Sequence, residues 1–225
     1  EDKNYFLISC KNFFKEEKFI RADIYNPPFL FQSEAFVPRM ASTHILRLQG
    51  DSYEIPNRRM KKYIRHAQKT DIKIAPLDDE KYLDGFYRLV LLTARRHKTK
   101  PRYSKKFFQR LYRISREDSR VIWPMVVYEN SIVASHIYFV ERSQILDWQS
   151  CCDQDNRLRP NYLLYDYIIK LAISRGIKEL NLGGTPPEAD SLMEFKERWG
   201  GMKIAYPYYT YLSNIGKLIY RGHRA

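Results

Sequence analysis

Cysteine is scarce. There are three in 225 residues, and two of them, Cys151 and Cys152, are neighbours poorly placed to bridge each other. A disulfide framework is therefore excluded, and the thiols read as reduced ones in a cytoplasmic protein. No Cys/His spacing resembles a zinc site, so no metal is expected. No apolar run approaches the roughly twenty residues that a membrane span needs, and no signal peptide is evident. Internal repeats, low-complexity runs and flexible linkers are all missing. Acidic residues are outnumbered: 26 Asp and Glu face 39 Lys and Arg, a net charge of +13. The first residue is Glu rather than Met, so a preceding segment is expected.

What is present is a core-forming composition. Hydrophobic residues make up 44% and aromatics 15%, which argues against disorder and for one large domain or one and a half small ones. The positive charge favours an anionic partner without choosing one: cofactor phosphates, nucleic acid, an acidic carrier protein or an anionic lipid surface.

The most informative stretch runs from Arg159 to Met202. Pro160 suits the first turn of a helix, where its missing N–H costs nothing. Tyr162, Tyr165, Ile169 and Ala172 follow at helical spacing, and Gly176 supplies the stop. Residues 177–182 alternate as a half-buried strand, with Leu180 and Leu182 on one side. Gly183-Gly184 then permits a sharp turn or a close approach to a ligand. Residues 194–199 read as a short helix ended by Gly200-Gly201. A Gly-Gly turn at a strand end is where open α/β sheets bind ligands.

Upstream, residues 5–9 and 19–24 read as short strands, with Phe13, Phe14 and Phe19 expected inside. Residues 29–39 read as extended, since Pro38 excludes a helix. Residues 44–48 form a strand. Asn57 caps a helix through Lys69 that places Met60, Ile64 and Ala67 on one face. Arg58, Lys62, Arg65 and Lys69 form a positive ridge on another, with no acidic residue between them. That ridge is either a solvated face or one turned to a phosphate-bearing ligand. Residues 72–75 form a strand; Asp78 or Asp79 caps a helix to His97; residues 97–102 form a basic loop; and Ser104 caps a helix through Ile114. Residues 121–129, 132–141 and 143–150 read as an antiparallel meander. Residues 203–212 form a tyrosine-rich strand interrupted by Pro207, and residues 215–220 a terminal helix or tail.

Three segments, NRRMKKYIRHAQKTDIKI (57–74), PNYLLYDYIIKLAISRGIKELNLGG (160–184) and EFKERWGG (194–201), together resemble the Fem-like branch of the GNAT acyltransferase superfamily. That branch includes peptidoglycan-bridge aminoacyltransferases and the bacterial acetyltransferase type 6 proteins. The resemblance covers roughly residues 42–212. It implies an α+β, three-layer fold: a mixed, mainly antiparallel sheet with splayed central strands and helices on both faces. It also implies an acyltransferase domain over residues 42–225, preceded by an arm or a remnant of another such half at residues 1–41. The family places a Phe-Lys pair at the transfer site, here Phe195 and Lys196, and phosphate contacts on the basic helix, here Arg58, Lys62 and Arg65. One departure stands out. The glycine-rich donor loop of coenzyme A-dependent relatives is replaced by Arg157, Leu158, Arg159, Pro160, Asn161 and Tyr162, so that Arg157, Arg159 and Asn161 would bind the donor by charge and side chain.

On this resemblance Lys196 would stabilise the oxyanion formed when an amine attacks an ester or thioester. From its place on the last meander strand, Asp147 is the candidate to accept the amine's proton, with Asp153 read as a loop residue. Tyr162 and Tyr165 either protonate the leaving group or bury an aromatic face. Gly183, Gly184 and Phe195 would border the donor, and Trp148 the acceptor. Cys151 and Cys152 lack a visible base and are set aside as nucleophiles, and His136 reads as a satisfied strand residue. No tightly bound cofactor is expected. The acyl source is acyl-CoA, an acyl carrier protein or aminoacyl-tRNA, and a non-catalytic GNAT-fold binder is the remaining reading. A homodimer is compatible with the chain.

Overall fold

The structure, a computed structural model, describes residues 2–25, 35–50, 52–153, 158–186 and 189–221. In chain order the elements are α1 (Asp2–Glu16), β1 (Arg21–Tyr25), β2 (Phe36–Arg47), α2 (Arg58–Gln68), β3 (Lys73–Pro76), α3 (Tyr82–Arg96), α4 (Lys105–Glu117), β4 (Val121–Ile122), β5 (Pro124–Tyr128), β6 (Ser131–Glu141), β7 (Gln144–Cys152), α5 (Pro160–Ser174), β8 (Glu179–Gly184), α6 (Asp190–Arg198), β9 (Met202–Leu212) and α7 (Asn214–Arg221). They divide into two units. The larger comprises His44–Gly183 with Asp190–Lys203, and the smaller Glu1–Thr43, Gly184–Ala189 and Ile204–Ala225.

In the larger unit the strand order is β8-β7-β6-β5-β3, with the end of β2 beside β8 and β4 paired to β6. The meander β5-β6-β7 is antiparallel, as the sequence implies. β4 and β5 are broken at Trp123, whose indole N–H donates to Ser135 Oγ at 3.1 Å, and that hydroxyl donates to the Pro124 carbonyl at 2.9 Å. Side chains alternate between two cores. Tyr138 and Cys152 join Met60, Ile64, Leu164 and Ile168 under α2 and α5. Their neighbours Ile137 and Cys151 join Phe86, Leu89 and Phe108 under α3 and α4. Adjacent residues on opposite faces are what a pleated strand requires, and helices cover both sides, giving the three layers expected.

Local chemistry accounts for the helix starts. Asn57 Oδ1 accepts from the N–H groups of Arg59 at 2.9 Å and Met60 at 3.3 Å, opening α2 where expected. Its Met60, Ile64 and Ala67 are buried, so the face read from the sequence is the one that packs. Ser104 Oγ accepts from Phe107 N and opens α4. Asp79 does not cap α3; it accepts from Lys81 N in the turn before, and the helix begins at Tyr82. α6 begins at Asp190, four residues before the expected start. β9 runs through Pro207 without a break, because an extended strand needs proline's φ and loses only one donor.

Two strands, β7 and β8, run parallel, and their ladder is short. Gln144 pairs with Glu179, Ile145 with Leu180 and Leu146 with Asn181. β7 then continues to Cys152 paired with β6 alone among the described residues. This is the splay. Along β7 the register against β6 shifts between Asp147 and Gln149, leaving Trp148 as an extra residue. Such a bulge changes the phase of a strand. Asp147 and Ser150, three apart and otherwise on opposite faces, now both face α5.

In the smaller unit β1 pairs with β9 antiparallel, and Cys10, Phe14 and Ile24 pack against Phe36, Tyr209 and Tyr211. The expected strand at residues 5–9 is part of helix α1 instead. Cys10 and Phe14, one turn apart, supply its inward contacts, a period of four rather than two. Phe13 and Phe19, expected inside, are exposed at 52% and 41%.

Candidate active site

The bulge, the end of the ladder and α5 together bury a polar cluster. Asp147 has only 6% of its surface exposed and His136 none. Buried polar groups are tolerated when paired, and these are. Asp147 Oδ1 accepts from Ser150 Oγ at 2.7 Å, and Oδ2 from the Tyr165 hydroxyl at 3.0 Å. His136 Nδ1 lies 3.4 Å from Asp147 Oδ2, 2.9 Å from the Tyr138 hydroxyl and 3.3 Å from Ser150 Oγ. Its Nε2 meets Asn161 Oδ1 at 3.2 Å, while Asn161 Nδ2 donates to Cys152 Sγ at 3.2 Å.

The environment fixes several charge states. Burial raises the pKa of Asp147, but His136 and the hydrogen bonds from His136, Ser150 and Tyr165 outweigh it, and the net displacement is downward. Asp147 is held as a carboxylate. Burial, reinforced by that carboxylate, pushes the Tyr165 and Tyr138 hydroxyls far up, so both remain donors. Burial also raises both adjacent thiols, Cys151 most strongly, which removes them as nucleophiles.

Lys196 sits on α6 with 3% exposure, and its ammonium donates to the Gly183 carbonyl at 2.8 Å. Burial lowers its pKa to about 8, and the charge of Asp147 works in the opposite direction. Gly183 lies where β8 leaves β7. Its φ is +77°, and a Cβ there would stand 2.6 Å from the Asp147 carbonyl oxygen, so glycine is required. Phe195, beside Lys196, packs edge-on against Tyr162 and Tyr165 at 5.3 and 5.2 Å between ring centres, and Trp199 stacks on Tyr165 at 5.4 Å.

The remaining expected residues fall in separate places. Tyr162 is a ring in that aromatic layer and also lines a cavity of about 230 Å³ with Asn57, Arg59, Met60, Tyr63 and Arg198. Arg159, in a left-handed conformation before Pro160, places its guanidinium 4.1 Å from the centre of the Tyr63 ring. Asn161 is engaged with His136 and Cys152 rather than turned outward. Arg157 lies outside the described residues. Gly184 belongs to the smaller unit and is exposed. Arg58, Lys62 and Arg65 line an open concavity of about 810 Å³ with Arg59, His66 and Lys69; no described carboxylate forms an ion pair with any of the six. Trp148 turns the other way, to Tyr103, Phe107 and Phe139 at 5.2, 6.1 and 5.4 Å. Sequence reasoning missed Ser150, Tyr63, Arg59 and Arg198, and it read His136 as a satisfied strand residue without its partners. Only Arg59 and Tyr63 carried a signal, one helical turn apart on an otherwise cationic helix. Among the described residues no cluster of side chains suits a metal, and no helix is long and apolar enough to cross a membrane.

A family model described as an acetyltransferase (GNAT) domain matches residues 57–197. No curated protein matches the sequence. Among solved structures the chain is similar to FemX, at 17% identity with a TM-score of 0.68, covering 97% of this chain and 78% of that one. It is also similar to the C-terminal domain of a putative lysylphosphatidylglycerol synthetase from Agrobacterium fabrum, at 12% identity and a TM-score of 0.61, covering 92% and 72%. A GCN5-related N-acetyltransferase from Sphaerobacter thermophilus matches at 12% identity and a TM-score of 0.61, covering 93% and 67%.

Proposed function

The chain belongs to the acetyltransferase (GNAT) domain family, and from that premise we propose that it moves an acyl group from an activated, phosphate-bearing donor, coenzyme A or an acyl carrier protein, to an amine. The observation that carries this reading is the buried ammonium of Lys196 at the end of the short β7–β8 ladder, beside the ionised Asp147. The amine nitrogen attacks the donor's carbonyl carbon, and the oxyanion that forms is stabilised by Lys196. The bond to the leaving sulfur or oxygen then breaks. The proton that the amine loses passes through solvent to the leaving sulfur or oxygen, and Tyr162, whose ring packs on Phe195, holds the aromatic layer beside Lys196. A carboxylate held below its ordinary range is a weak base. Asp147 therefore serves to keep Lys196 charged rather than to accept the amine's proton. Residues 42–225 form the transferase domain on this reading, and residues 1–41 an arm.

A second donor, aminoacyl-tRNA, is favoured by one observation: five Lys and Arg side chains, together with His66, line one concavity along α2, with no described carboxylate paired to them. The test is a transfer assay on the full chain with acyl-CoA, acylated carrier protein and aminoacyl-tRNA, read by mass spectrometry of an amine mixture. A new amide that disappears with Lys196→Met supports transfer; equal product from wild type and Lys196→Met refutes it. If tRNA is the donor, Arg58→Glu with Lys62→Glu lowers the salt slope of binding by about 1.4 to 1.8, from roughly 0.7–0.9 per phosphate contact. An unchanged slope rejects that donor.

A further inference from the structure

A surface helix of a folded unit normally turns its apolar stripe inward and its polar face to water. In the smaller unit α7 does the reverse. Ile215, Leu218 and Ile219, three and four residues apart and so on one face, are exposed at 61%, 74% and 51%. The residue that packs is Gly216, which is buried. A Cβ there would run into the Ile20 carbonyl oxygen, so glycine is what lets the helix lie this close. Ser213 fixes the approach. Its N–H donates to the Ile20 carbonyl at 3.0 Å, its hydroxyl accepts from Gly216 N at 3.1 Å, and its carbonyl accepts from Lys217 N at 2.8 Å. The helix is therefore docked, and docked with its aliphatic face outward.

The patch continues beyond α7. Ile20 is itself exposed, and so are Phe19 and Phe13, whose rings lie 6.0 Å apart. Large apolar side chains gathered in this way on one surface mark a place where something binds. Charge decides what. On the same segments the exposed charged residues are Lys11, Lys15, Lys18 and Lys217 against Glu16 and Glu17, and Arg221 and Arg224 follow in sequence. A second copy would set these cations, and the +13 of the whole chain, against their like. An anionic bilayer offers opposite charge and an apolar interior together. Aliphatics on one face of a helix, aromatics beside it and lysines around them is the composition that lies in the headgroup plane, with the lysine stems reaching from the apolar level to the headgroups.

We propose that α7, with the turn at residues 13–20 beside it, is an interfacial surface that seats the smaller unit on a membrane bearing anionic lipid. The contact is peripheral. α7 has eight residues, about 12 Å of helix, against about 30 Å of hydrocarbon in a bilayer. Ile215, Leu218 and Ile219 enter the level between headgroups and acyl chains, Phe13 and Phe19 lie at its edge, and the lysines meet the phosphates. The proposal goes beyond the transfer reading and does not rest on it, since no residue of this surface belongs to the site around Lys196.

The test is flotation of the full chain with vesicles of phosphatidylcholine alone and of phosphatidylcholine mixed with phosphatidylglycerol. Binding to the mixed vesicles is expected to be at least tenfold tighter than to the neutral ones and to weaken as salt is raised. Leu218→Glu with Ile219→Glu is expected to weaken it tenfold or more while leaving Tm unchanged, because both side chains already face water. Leu218→Gln with Ile219→Gln, which adds no charge, is expected to do the same and separates lost apolar contact from added repulsion. Equal flotation of wild type and the glutamine variant overturns the proposal, as does equal binding to the two kinds of vesicle. Failure of wild type to float also overturns it, whether light scattering shows a monomer or a dimer. If it shows a dimer that the glutamine variant splits, a second copy covers the face instead.

Discussion

Lys196→Met should slow the protein's chemistry and stabilise its fold at once. The side chain is 3% exposed and its pKa falls from 10.5 to about 8, which corresponds to about 3 kcal/mol against the ammonium form. Methionine keeps the apolar stem and removes that cost. It also removes the hydrogen bond to the Gly183 carbonyl, worth about 1–2 kcal/mol. The balance is a gain of about 1–2 kcal/mol at pH 7, or about 2–8 °C in Tm for a chain of this size. Acyl transfer should fall about 10²–10³-fold, the usual effect of losing one oxyanion partner. The pH dependence gives an independent check. Between about 8 and 10.5 the unfolded chain holds a proton on this lysine that the folded chain has lost, so stability attributable to Lys196 rises with pH across that window. In the same window the transfer rate should decline as the ammonium disappears, with an apparent pKa of about 8. Thermal and chemical denaturation of wild type and variant at pH 7 and pH 10, beside a transfer assay, measures all of this. If Lys196→Met unfolds more readily at pH 7 and transfers as fast as wild type, the lysine is a structural strut and the reasoning fails.

Gly183→Ala should cost about 2–3 kcal/mol, because the new Cβ meets a backbone oxygen that cannot rotate away, at a φ that disfavours side chains; urea denaturation yields the value, and a loss under 0.5 kcal/mol would show that β8 can move aside. Asp147→Asn should destabilise by about 3 kcal/mol between pH 5 and pH 8, since it leaves His136, Ser150 and Tyr165 facing an amide. The wild-type carboxylate has a lowered pKa, so its contribution is complete above the unfolded value near 3.8 and is lost as pH falls through the folded one. The gap between the two proteins should therefore shrink below pH 4, and a gap independent of pH would contradict the assignment.

How much of this was legible beforehand depended on how local the signal was. α2 could be read completely, since its cap, its inward face and its cationic ridge all lie within a dozen residues. α5 and the buried side of β8 were equally readable, whereas the strand runs on through Gly183 and Gly184, where a turn was expected, and Lys196 was singled out by the family resemblance. His136 was not. Its partners Asp147 and Ser150 stand across a hairpin, and only the strand register with its one extra residue brings them opposite. Nothing in the residues around Trp148 announces a bulge. Tyr165 looked like core, and it is core by its ring, while its hydroxyl reaches the carboxylate. α1 was misread because a short aromatic run satisfies both a strand and a helix pattern until its long-range contacts are known. The cavity between α2 and α5 needed Arg159 to fold back over Tyr63, a meeting of residues about a hundred positions apart.

The supernumerary Trp148 makes the two sides of β7 independently adjustable. Its indole belongs with Tyr103 and Phe107, while the residues before and after it serve the buried carboxylate. Drift in the aromatic shelf can therefore alter what rests against α4 without disturbing the proton arrangement under α5. Deleting that one residue would leave Asp147 and Ser150 two apart on one face of a regular strand, so the buried carboxylate would keep its partner while the shelf lost its indole.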